Sequence, residues 1–385
     1  MKFLENLYRF LASFGFTVIL LMCLFVILVF GTFYQIDNGI YDAQEKYFDS
    51  IIVLHELGPL KIPLPGAYLV MALFAVNLTL GGLIRMKKRV GNVGILITHI
   101  GMAVMVISCA MTFHYADRGA MQLYETQTSD EFSSYHDWNV EITKFGSEDP
   151  SFVIEDDAFS DLTGKDARTF HSSSIPFDVA IHGYVRNCNA YPDFPRKPAN
   201  VELVDGYYLH PLPKDVEAER NIPGVYVTIT PDEGDPVMAI LFGLEREPFS
   251  LEVGGATWTV GMAKKRWKVP FTVTLNDFQY EYYAGTTMAK RYESHVTKTE
   301  NGADESIKIW MNHPLRYKGY TFFQTSWGFR DGIEGNPVFS VLSVVRNPGD
   351  QGPLYACIII GIGLSIHFLK KLFEYMKAES KRRTA

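Results

Sequence analysis

Four long stretches of this 385-residue chain carry no formally charged side chain. Each stretch is about as long as the roughly 20 helical residues that cross the apolar part of a bilayer. They lie at residues 11–36, 62–84, 90–116 and 351–369. We therefore predict four transmembrane α-helices, at about residues 11–34, 64–84, 92–113 and 351–371, the first three forming an N-terminal membrane region over residues 1–116. The first apolar run is too long for a cleaved signal peptide, and we interpret it as a retained helix.

The insert between the third and fourth helices, residues 117–350, has the alternation of β-strands. In "FTVTLNDF" (271–278) apolar side chains occupy every second position, as in a half-buried strand. In "GVYVTITPDEGDPVMAILFG" (224–243) two β-branched runs flank a turn, which predicts a hairpin. Further strands are predicted at 317–327 and 336–345, and loops at 146–176 and 191–213. We expect a large β-rich, sandwich-like domain.

Lysine and arginine residues indicate how the chain crosses the membrane. They cluster before the first span (Lys2, Arg9), in the loop 85–89 and in the tail 372–385, whereas the loop between the first two spans has only two lysines. Because basic loops stay in the cytoplasm, we expect both termini to be cytoplasmic. The β-rich insert is then extracytoplasmic, in the periplasm of a cell with an inner membrane.

Composition and absent motifs exclude several functions. The formal net charge is −7, with acidic runs in the insert, which argues against nucleic acid as a partner. No Cys-x-x-Cys, Cys-x-x-Cys-His, P-loop or GxGxxG pattern is present, which argues against a thiol reductant, a c-type cytochrome, an ATP-driven transporter and a dinucleotide enzyme. Cys188 alone lies well inside the insert, so a disulfide framework is excluded there. Cys109 and Cys357 pair only if their helices touch, and small apolar cysteines within helices are commoner.

His99, within "GILITHIGMAVMVIS" (94–108), is the candidate functional residue. It lies ten residues after Arg89, about 15 Å along a helix, where a charged ring is disfavoured and a neutral imidazole keeps one free lone pair. Such a group suits a haem iron as an axial ligand. Gly94, Thr98 and Gly101 form a seam of small side chains that admits a neighbouring helix or a flat macrocycle. A structural histidine that donates a hydrogen bond to another span is the alternative, and both interpretations stay open at this point.

The other histidines give no clear site. His367 precedes Lys370 by three residues, and we interpret it as a side chain that reaches the membrane surface. The remaining eight show no metal-ligand spacing: His55, His114, His136, His171, His182, His210, His295 and His313.

Three segments near the end of the insert resemble the ResB family. They are "PFTVTLNDFQYEYYAGTTMAKRYESHV" (270–296), "MNHPLRYKGYTFFQTSW" (311–327) and "NPGD" (347–350). The family pattern ExYPGTxMPKxYxSxV is met by Glu281, Tyr283, Gly285, Thr286, Met288, Lys290, Tyr292, Ser294 and Val296. The pattern MNxPLxYxGYxFYQ is met by Met311, Asn312, Pro314, Leu315, Tyr317, Gly319, Tyr320, Phe322 and Gln324. The departures are Ala284 and Ala289 in place of proline and Phe323 in place of tyrosine. We interpret Tyr320, Phe322 and Trp327 as packing residues and assign them no catalytic role.

ResB, called Ccs1 in plastids, is the four-span subunit of the System II cytochrome c biogenesis machinery. The resemblance implies that His99 ligates haem b in transit from the cytoplasmic side. It also implies a partner of the ResC (CcsA) type, which brings the second ligand and a tryptophan-rich WWD segment. Apocytochrome c is the implied substrate protein, and a thioredoxin-like thiol reductant is a further candidate partner. The chain has five tryptophans and none in such a cluster, so we expect a non-catalytic or co-catalytic subunit of a holocytochrome c synthase.

Two other functions compete with haem delivery. One is a scaffold that supports the partner while His99 only packs. The other is an electron carrier resembling a membrane cytochrome b, which normally needs paired histidines on facing spans of one chain.

The charge asymmetry predicts the topology directly. A reporter fused after Lys381 is expected to be active only in the cytoplasm, and one inserted within 146–176 only outside it, because basic segments are retained inside. Paired phosphatase and fluorescent-protein fusions measure this. An outward-facing C-terminus contradicts the four-span arrangement.

Overall fold

The computed structural model describes residues 2–58, 60–147, 149–194, 198, 201–286, 288–333 and 338–384. The chain divides into two compact units. One unit consists of Met1–Asp117 with Arg346–Ala385 and is called the membrane unit here; the other, Arg118–Val345, is called the β domain. Each is described by itself.

Helices build the membrane unit. They are α1 (Lys2–Leu11), α2 (Phe14–Ala43, continued by a π-helix Gln44–Phe48), α3 (Ala67–Asn77, continued by a π-helix Leu78–Ile84), α4 (Val93–Tyr115, preceded by a 3-10 turn Val90–Asn92) and α5 (Gly352–Thr384). Four segments in the described part of the chain are long and apolar enough to cross a membrane, namely Phe14–Phe48, Ala67–Ile84, Val90–Tyr115 and Gly352–Arg383. The prediction of four transmembrane helices with a β-rich domain between the third and fourth is confirmed.

Some helices begin and end at residues that differ from the predicted spans, and local features explain these differences. The chain breaks before α2, where the Ser13 hydroxyl accepts a hydrogen bond from the Phe16 N–H at 3.1 Å and caps the new helix. Helix α2 then continues beyond residue 34 to Ala43, with Gly39 in a left-handed conformation (φ 83°) that marks a kink. A hairpin of β1 (Ile52–Leu57) and β2 (Leu60–Pro65) follows, which the sequence analysis did not predict.

Glycines let α4 and α5 approach closely. A Cβ on Gly363 of α5 would lie 2.5 Å from Thr98 Oγ1 and 2.7 Å from the Gly94 carbonyl oxygen. A Cβ on Gly101 would lie 2.7 Å from Ile360 Cγ1. The small residues predicted to form a seam on α4 therefore do so, and the neighbouring helix α5 fills that seam.

Strands build the β domain. They are β3 (Asp117–Tyr124), β4 (Thr128–Lys144), β5 (Phe152–Ile154), β6 (Ala167–Phe170), β7 (Phe177–Val185), β8 (Cys188–Pro192), β9 (Tyr207–Pro211), β10 (Gly224–Pro231), β11 (Val237–Phe242), β12 (Phe249–Val253), β13 (Ala256–Tyr282), β14 (Ala289–Glu300), β15 (Ala303–Trp310), β16 (Leu315–Tyr317), β17 (Tyr320–Phe329) and β18 (Val338–Arg346). A ten-stranded sheet runs β15-β14-β13-β4-β3-β18-β17-β16, with β12 on β13 and β5 on β4. A four-stranded sheet runs β11-β10-β7-β6, and β8 pairs with β9.

Two hydrophobic cores lie along the longest strands. In the first core the four-stranded sheet packs through residues such as Val179 and Val227 against Ile142 of β4 and Val260 of β13. In the second core Val273, farther along β13, packs with residues of β3, β14, β15, β17 and β18. Strand β15 also contacts β16 and β17, so the large sheet curls back around this core. The domain is therefore a sandwich at one end and a curled sheet at the other.

The predicted strands are present. The segment 271–278 lies in β13, and the segment 224–243 forms the β10–β11 hairpin, whose register pairs Val225 with Leu241. The segments 317–327 and 336–345 largely coincide with β17 and β18, although residues 336–337 lie outside the described part. The predicted loop 146–176 contains the short strands β5 and β6. The predicted loop 191–213 lies partly outside the described residues, and its ends belong to β8 and β9.

A buried carboxylate ties β14 to β15. Glu293 is 2% exposed, and its oxygens accept from Arg291 at 2.5 Å, His295 at 3.1 Å and Lys308 at 3.3 Å. Burial alone raises the pKa of the Glu293 carboxyl, but these three donors together hold that pKa below its usual range. The carboxylate therefore stabilises the fold while it is ionised.

The close contact of α4 and α5 makes a stability prediction. Gly363→Val is expected to destabilise the membrane unit by about 2 kcal/mol, because the new side chain has no room against Thr98. Thermal unfolding in detergent, followed by size-exclusion chromatography, measures the effect. Gly361→Val is the matched control, since a Cβ at Gly361 meets nothing within 4 Å. Equal melting temperatures for the two variants contradict the seam.

The Glu293 site makes a pH prediction. Glu293→Gln is expected to lower the free energy of unfolding by about 2 kcal/mol at neutral pH, since hydrogen bonds to a charged group are lost. A carboxyl with a depressed folded-state pKa stabilises above its unfolded pKa and loses that contribution as the pH falls through the folded pKa. The difference between the two proteins should therefore shrink in acid. Urea unfolding at several pH values tests this, with Glu281→Gln as a control because its ion pair with Lys290 is largely exposed.

Candidate functional site

His99 lies in α4 with its ring orientation set by its own helix. The ring is half-buried, and Nδ1 lies 2.8 Å from the carbonyl oxygen of Ile95, one turn earlier. A carbonyl oxygen only accepts, so Nδ1 carries the proton in this contact. Of the two neutral tautomers, this hydrogen bond selects the one whose lone pair is on Nε2.

A glycine of the second span lies against the imidazole. A Cβ on Gly82 would come within 2.5 Å of His99 Cδ2 and 3.3 Å of its Cγ, so only a glycine leaves room for the ring. Gly82 belongs to the π-helix Leu78–Ile84, whose widened turns displace the backbone relative to an α-helix. Within the described residues, Nε2 of His99 has no hydrogen-bond partner. One face of the ring is thus held by packing while its basic nitrogen is left available.

Helix α4 begins at Val93, after a 3-10 turn at Val90–Asn92, so His99 lies six residues into the helix. That spacing corresponds to about 9 Å of helix from Val93.

The glycine seam is not available to a macrocycle. Helix α5 occupies it, with Gly363 against Thr98 and Ile360 against Gly101. The π-helix Leu78–Ile84 contacts His99 through Gly82, whereas α5 contacts Thr98, the residue before His99. The two open interpretations of the seam are therefore resolved in favour of a neighbouring helix.

The other histidines of the membrane unit are placed differently. The backbone of His367 packs against Gly94, and its ring contacts Phe368. The Nδ1 atom of His55 lies within hydrogen-bonding distance, 2.6 Å, of the hydroxyl oxygen of the buried Tyr47. The His55 ring also stacks on Phe30, with ring centroids 4.1 Å apart. These contacts give His55 a structural role at the β1–β2 hairpin.

A cleft of about 340 Å³ opens between α3 and α4 at the end of the spans opposite to the basic loop. Its lining is mostly apolar, and its polar groups include His114, Tyr68 and Asp49. The Tyr68 hydroxyl lies 3.5 Å from His114 Nε2, and burial raises the pKa of the Asp49 carboxyl. The sequence analysis did not identify this cleft, because its residues come from three separate segments.

Three exposed or half-buried histidines of the β domain contact nearby side chains. His171 pairs with Asp178 at 2.5 Å, and His182 with Glu202 at 3.1 Å. His313 stacks on Trp310 with ring centroids 4.1 Å apart. Among the described residues, no group of three or more metal-ligating side chains comes together.

The residues that carry the family pattern are mainly structural. Tyr320 and Phe322 are 8% and 0% exposed within the second core, as predicted. Ser294 donates to Gln324 at 2.5 Å and lies 2.8 Å from the Ser340 hydroxyl, which joins β14, β17 and β18 through buried polar groups. Such a network is costly to leave incomplete, so each of its members constrains the others.

Trp327 packs outside this core, in an aromatic ladder. A bulge between Leu275 and Asp277 shifts the alternation of β13, so that Phe278, Tyr280 and Tyr282 continue on one face. Trp327 stacks on Tyr280 with ring centroids 4.4 Å apart. Exposure rises along the ladder from 5% at Phe278 to 37% at Tyr282.

Asn77 is a buried polar residue of the second span that the sequence analysis missed. This side chain in the second span is 5% exposed, accepts from the Thr17 hydroxyl at 2.7 Å and donates to the Leu11 carbonyl at 2.6 Å. The available signal was an amide in an otherwise apolar span, "VNLTLGGLI" (76–84), since polar groups there need partners.

Comparison with known proteins bears on the family. The sequence model of the ResB-like family matches residues 252–337. Protein NrfI of Wolinella succinogenes is 22% identical over 387 residues, which cover 98% of this chain and 36% of NrfI. The cytochrome c biogenesis protein CcsB of Trichormus variabilis is 29% identical over 89 residues, which cover 22% of this chain and 19% of that protein. CcsB of Prochlorococcus marinus is 44% identical over 57 residues, covering 14% of this chain and 13% of that protein.

The extent of these matches defines what they support. The chain covers 36% of the length of NrfI, and its matches to the two CcsB proteins cover less than a fifth of each. The family match falls on β12 to β17, the part of the β domain that carries the buried Ser294–Gln324 contact and the aromatic ladder. Residues 252–337 thus carry a segment that is similar to the ResB-like family, and the chain is similar to NrfI and to CcsB proteins, the latter named for cytochrome c biogenesis.

Proposed function

We propose that this chain is a membrane subunit of a haem delivery and cytochrome c maturation system, in which His99 supplies one axial ligand to haem in transit. The observation that carries the proposal is the free Nε2 of His99, oriented by the Nδ1–H bond to Ile95 and packed against Gly82. Haem is the cargo of the chain and not a resident cofactor. It supplies an iron that accepts a neutral imidazole nitrogen.

The residues around His99 fit this role. A hydrogen bond from Nδ1–H to a carbonyl oxygen fixes the ring and increases the basicity of the other nitrogen, as in other metal-ligating histidines. The ring lies in an apolar helix, and its Nε2 has no hydrogen-bond partner among the described residues, so this nitrogen is left for a ligand. A glycine at position 82 keeps a side chain away from the ring edge.

A second ligand would come from elsewhere. The histidines at 55 and 367 are engaged with Tyr47 and Phe368, and neither is hydrogen-bonded to His99 in the described residues. A ResC (CcsA)-type protein with a WWD segment, or a further part of a longer chain, would bring that ligand and the attachment chemistry. This chain covers only 36% of NrfI, so the activity of the whole maturation system is part of what we propose.

The β domain would support the partner and the apocytochrome c on the extracytoplasmic side. Its buried networks make it a rigid support, and its partly exposed aromatic ladder at Tyr280, Tyr282 and Trp327 offers apolar contact area. A thioredoxin-like reductant would keep the apocytochrome cysteines reduced. In this arrangement both termini lie in the cytoplasm and the chain contributes binding rather than bond formation.

The scaffold function is the second candidate. It is favoured by the same hydrogen bond, because His99 bound to Ile95 and packed on Gly82 already has a structural explanation. An electron carrier resembling cytochrome b remains the third. Haem spectra of the purified protein with and without its partner distinguish the three, since a resident haem persists in the isolated chain and a cargo haem depends on the partner.

Substitution of His99 tests ligation against packing. His99→Ala is expected to lose most of the co-purifying haem while the protein still inserts and binds its partner, and added imidazole should restore haem, because a free ring can occupy the vacated volume. His99→Gln is expected to lose haem as well, since glutamine keeps a hydrogen bond but is a poor iron ligand. Absorption spectra and cytochrome c maturation are measured.

The matched control is His367→Ala, a second histidine of the membrane unit whose ring contacts Phe368. It should retain haem. Full haem content and full maturation in His99→Gln would falsify ligation and favour the scaffold. A loss of accumulation or partner binding that imidazole does not relieve leads to the same conclusion.

A further inference from the structure

Helix α1 has two chemically distinct sides. One side carries the apolar arc, which consists of Phe3, Leu4, Leu7, Phe10 and Leu11. The other side carries the polar arc, which consists of Lys2, Glu5, Asn6 and Arg9. The helix contributes no buried residue to the membrane unit, and Phe3 and Leu4 are 77% and 68% exposed. Within the arc, Leu11 packs against the core that includes Phe16 and Leu20, and the Phe10 ring centroid lies 4.8 Å from that of Phe16. Phe3, Leu4 and Leu7 are the arc residues that stay largely exposed.

The direction of α1 is held by the second span. Asn77 donates to the carbonyl oxygens of Leu11 at 2.6 Å and Ser13 at 3.2 Å, on both sides of the break between α1 and α2. Gly81 allows the Ala12 carbonyl oxygen to approach within 2.9 Å of its Cβ position, and the Arg85 guanidinium donates to that oxygen at 3.4 Å. The end of one helix and the start of the next are thus fixed, and α1 does not simply extend the first span.

The basic loop lies beside this break. It consists of residues 85–89, and its cations Arg85, Lys87, Lys88 and Arg89 are exposed. In the described part of the chain none of these four pairs with a carboxylate. By contrast, Arg9 pairs with Glu5 at 2.6 Å, and Lys370 with Glu374 at 3.5 Å. A group of unneutralised cations therefore adjoins the apolar arc.

We propose that α1 lies in the plane of the membrane surface and that, with the basic loop, it binds the headgroups of acidic phospholipids. The apolar arc enters the acyl boundary, the polar arc faces water, and the four cations meet the phosphates. Amphipathic helices with this division of side chains bind at the interface and do not span it. Unpaired lysines and arginines next to a span are attracted to an anionic leaflet.

Two features favour lipid over a protein occupant. Only Ala12 and Ser13 separate α1 from α2, so its apolar arc adjoins a helix that is long and apolar enough to cross a membrane. The adjacent charge is positive and unpaired, which complements phosphate groups. The inference does not depend on haem or on His99.

Site-specific labels test the orientation of α1. Cys23, Cys109 and Cys357 are replaced by alanine in the full chain, and Cys188 is kept because burial raises the pKa of its thiol to about 12 and suppresses labelling. An environment-sensitive fluorophore is attached at Leu7→Cys or at the adjacent Asn6→Cys, in nanodiscs that contain acidic phospholipid. Ile19→Cys, in the first span, is the lipid-facing control.

The Leu7 label is expected to be quenched by nitroxide lipids and protected from aqueous iodide, as at position 19, and the Asn6 label should show the reverse. Equal exposure of both labels to iodide overturns the proposal. Protection of the Leu7 label from lipid nitroxide and iodide alike also overturns it, because the arc then contacts protein, such as a second copy of the chain.

A charge variant tests the lipid class. Lys87→Gln with Lys88→Gln removes two cations, while Arg85 and Arg89 remain to preserve the topology signal. Nitroxide lipids should quench the Leu7 label more strongly in nanodiscs of acidic phospholipid than in zwitterionic nanodiscs. This difference in quenching should be smaller in the double variant than in the protein with Lys87 and Lys88. Lys144→Gln with Lys165→Gln in the β domain is the control. A Leu7 signal that is the same in acidic and zwitterionic lipid overturns the assignment of acidic headgroups.

Discussion

The glycine-lined contact between α4 and α5 is the constraint on which the membrane unit depends. These helices border the β domain in sequence, on either side of more than half of the chain. Their approach leaves no space for a side chain at Gly94, Gly101 or Gly363. Near the end of the contact, Asn347 donates to the Thr112 hydroxyl at 3.0 Å, and Asp117 lies 3.6 Å from Arg346. Packing of small residues thus brings together two segments that are distant in sequence, which hydrophobicity alone does not do in a bilayer.

Polar side chains within the spans form hydrogen bonds to nearby groups. Thr98 and Ser108 donate to carbonyl oxygens one turn earlier, at 3.0 and 2.7 Å. Asn77 is bonded to three groups of the first two helices. His99 follows the same rule with Nδ1 and departs from it with Nε2, which has no partner among the described residues. This nitrogen is therefore available to a ligand or to a partner protein, and its availability is the basis of the proposed haem ligation.

In the β domain, the residues of the family pattern determine structure more directly than chemistry. Ser294, Gln324 and Ser340 connect three strands through one buried network. Glu293 forms ion pairs with Arg291 on β14 and with Lys308 on β15. The bulge at Leu275–Asp277 then directs the aromatic side chains of β13 onto a single face. A polar network of this kind rigidifies a domain because a change in one member leaves the others unsatisfied.

The sequence by itself determined the features that depend on local composition. Charge-free runs long enough for a bilayer defined four spans, and alternation defined the strands at 224–243 and 271–278. It also singled out His99, because an ionisable group in an apolar helix is conspicuous without any knowledge of its neighbours. The position of Gly82 against His99 and the hydrogen bond from Asn77 to the Leu11 carbonyl came only from the tertiary structure. These contacts join residues that are up to about sixty-six positions apart, and periodicity carries no information about which distant helix faces meet. The tautomer of the histidine and the partner that fills the glycine seam were decided in the same way, because each depends on which atom lies within hydrogen-bonding or packing distance in the folded chain.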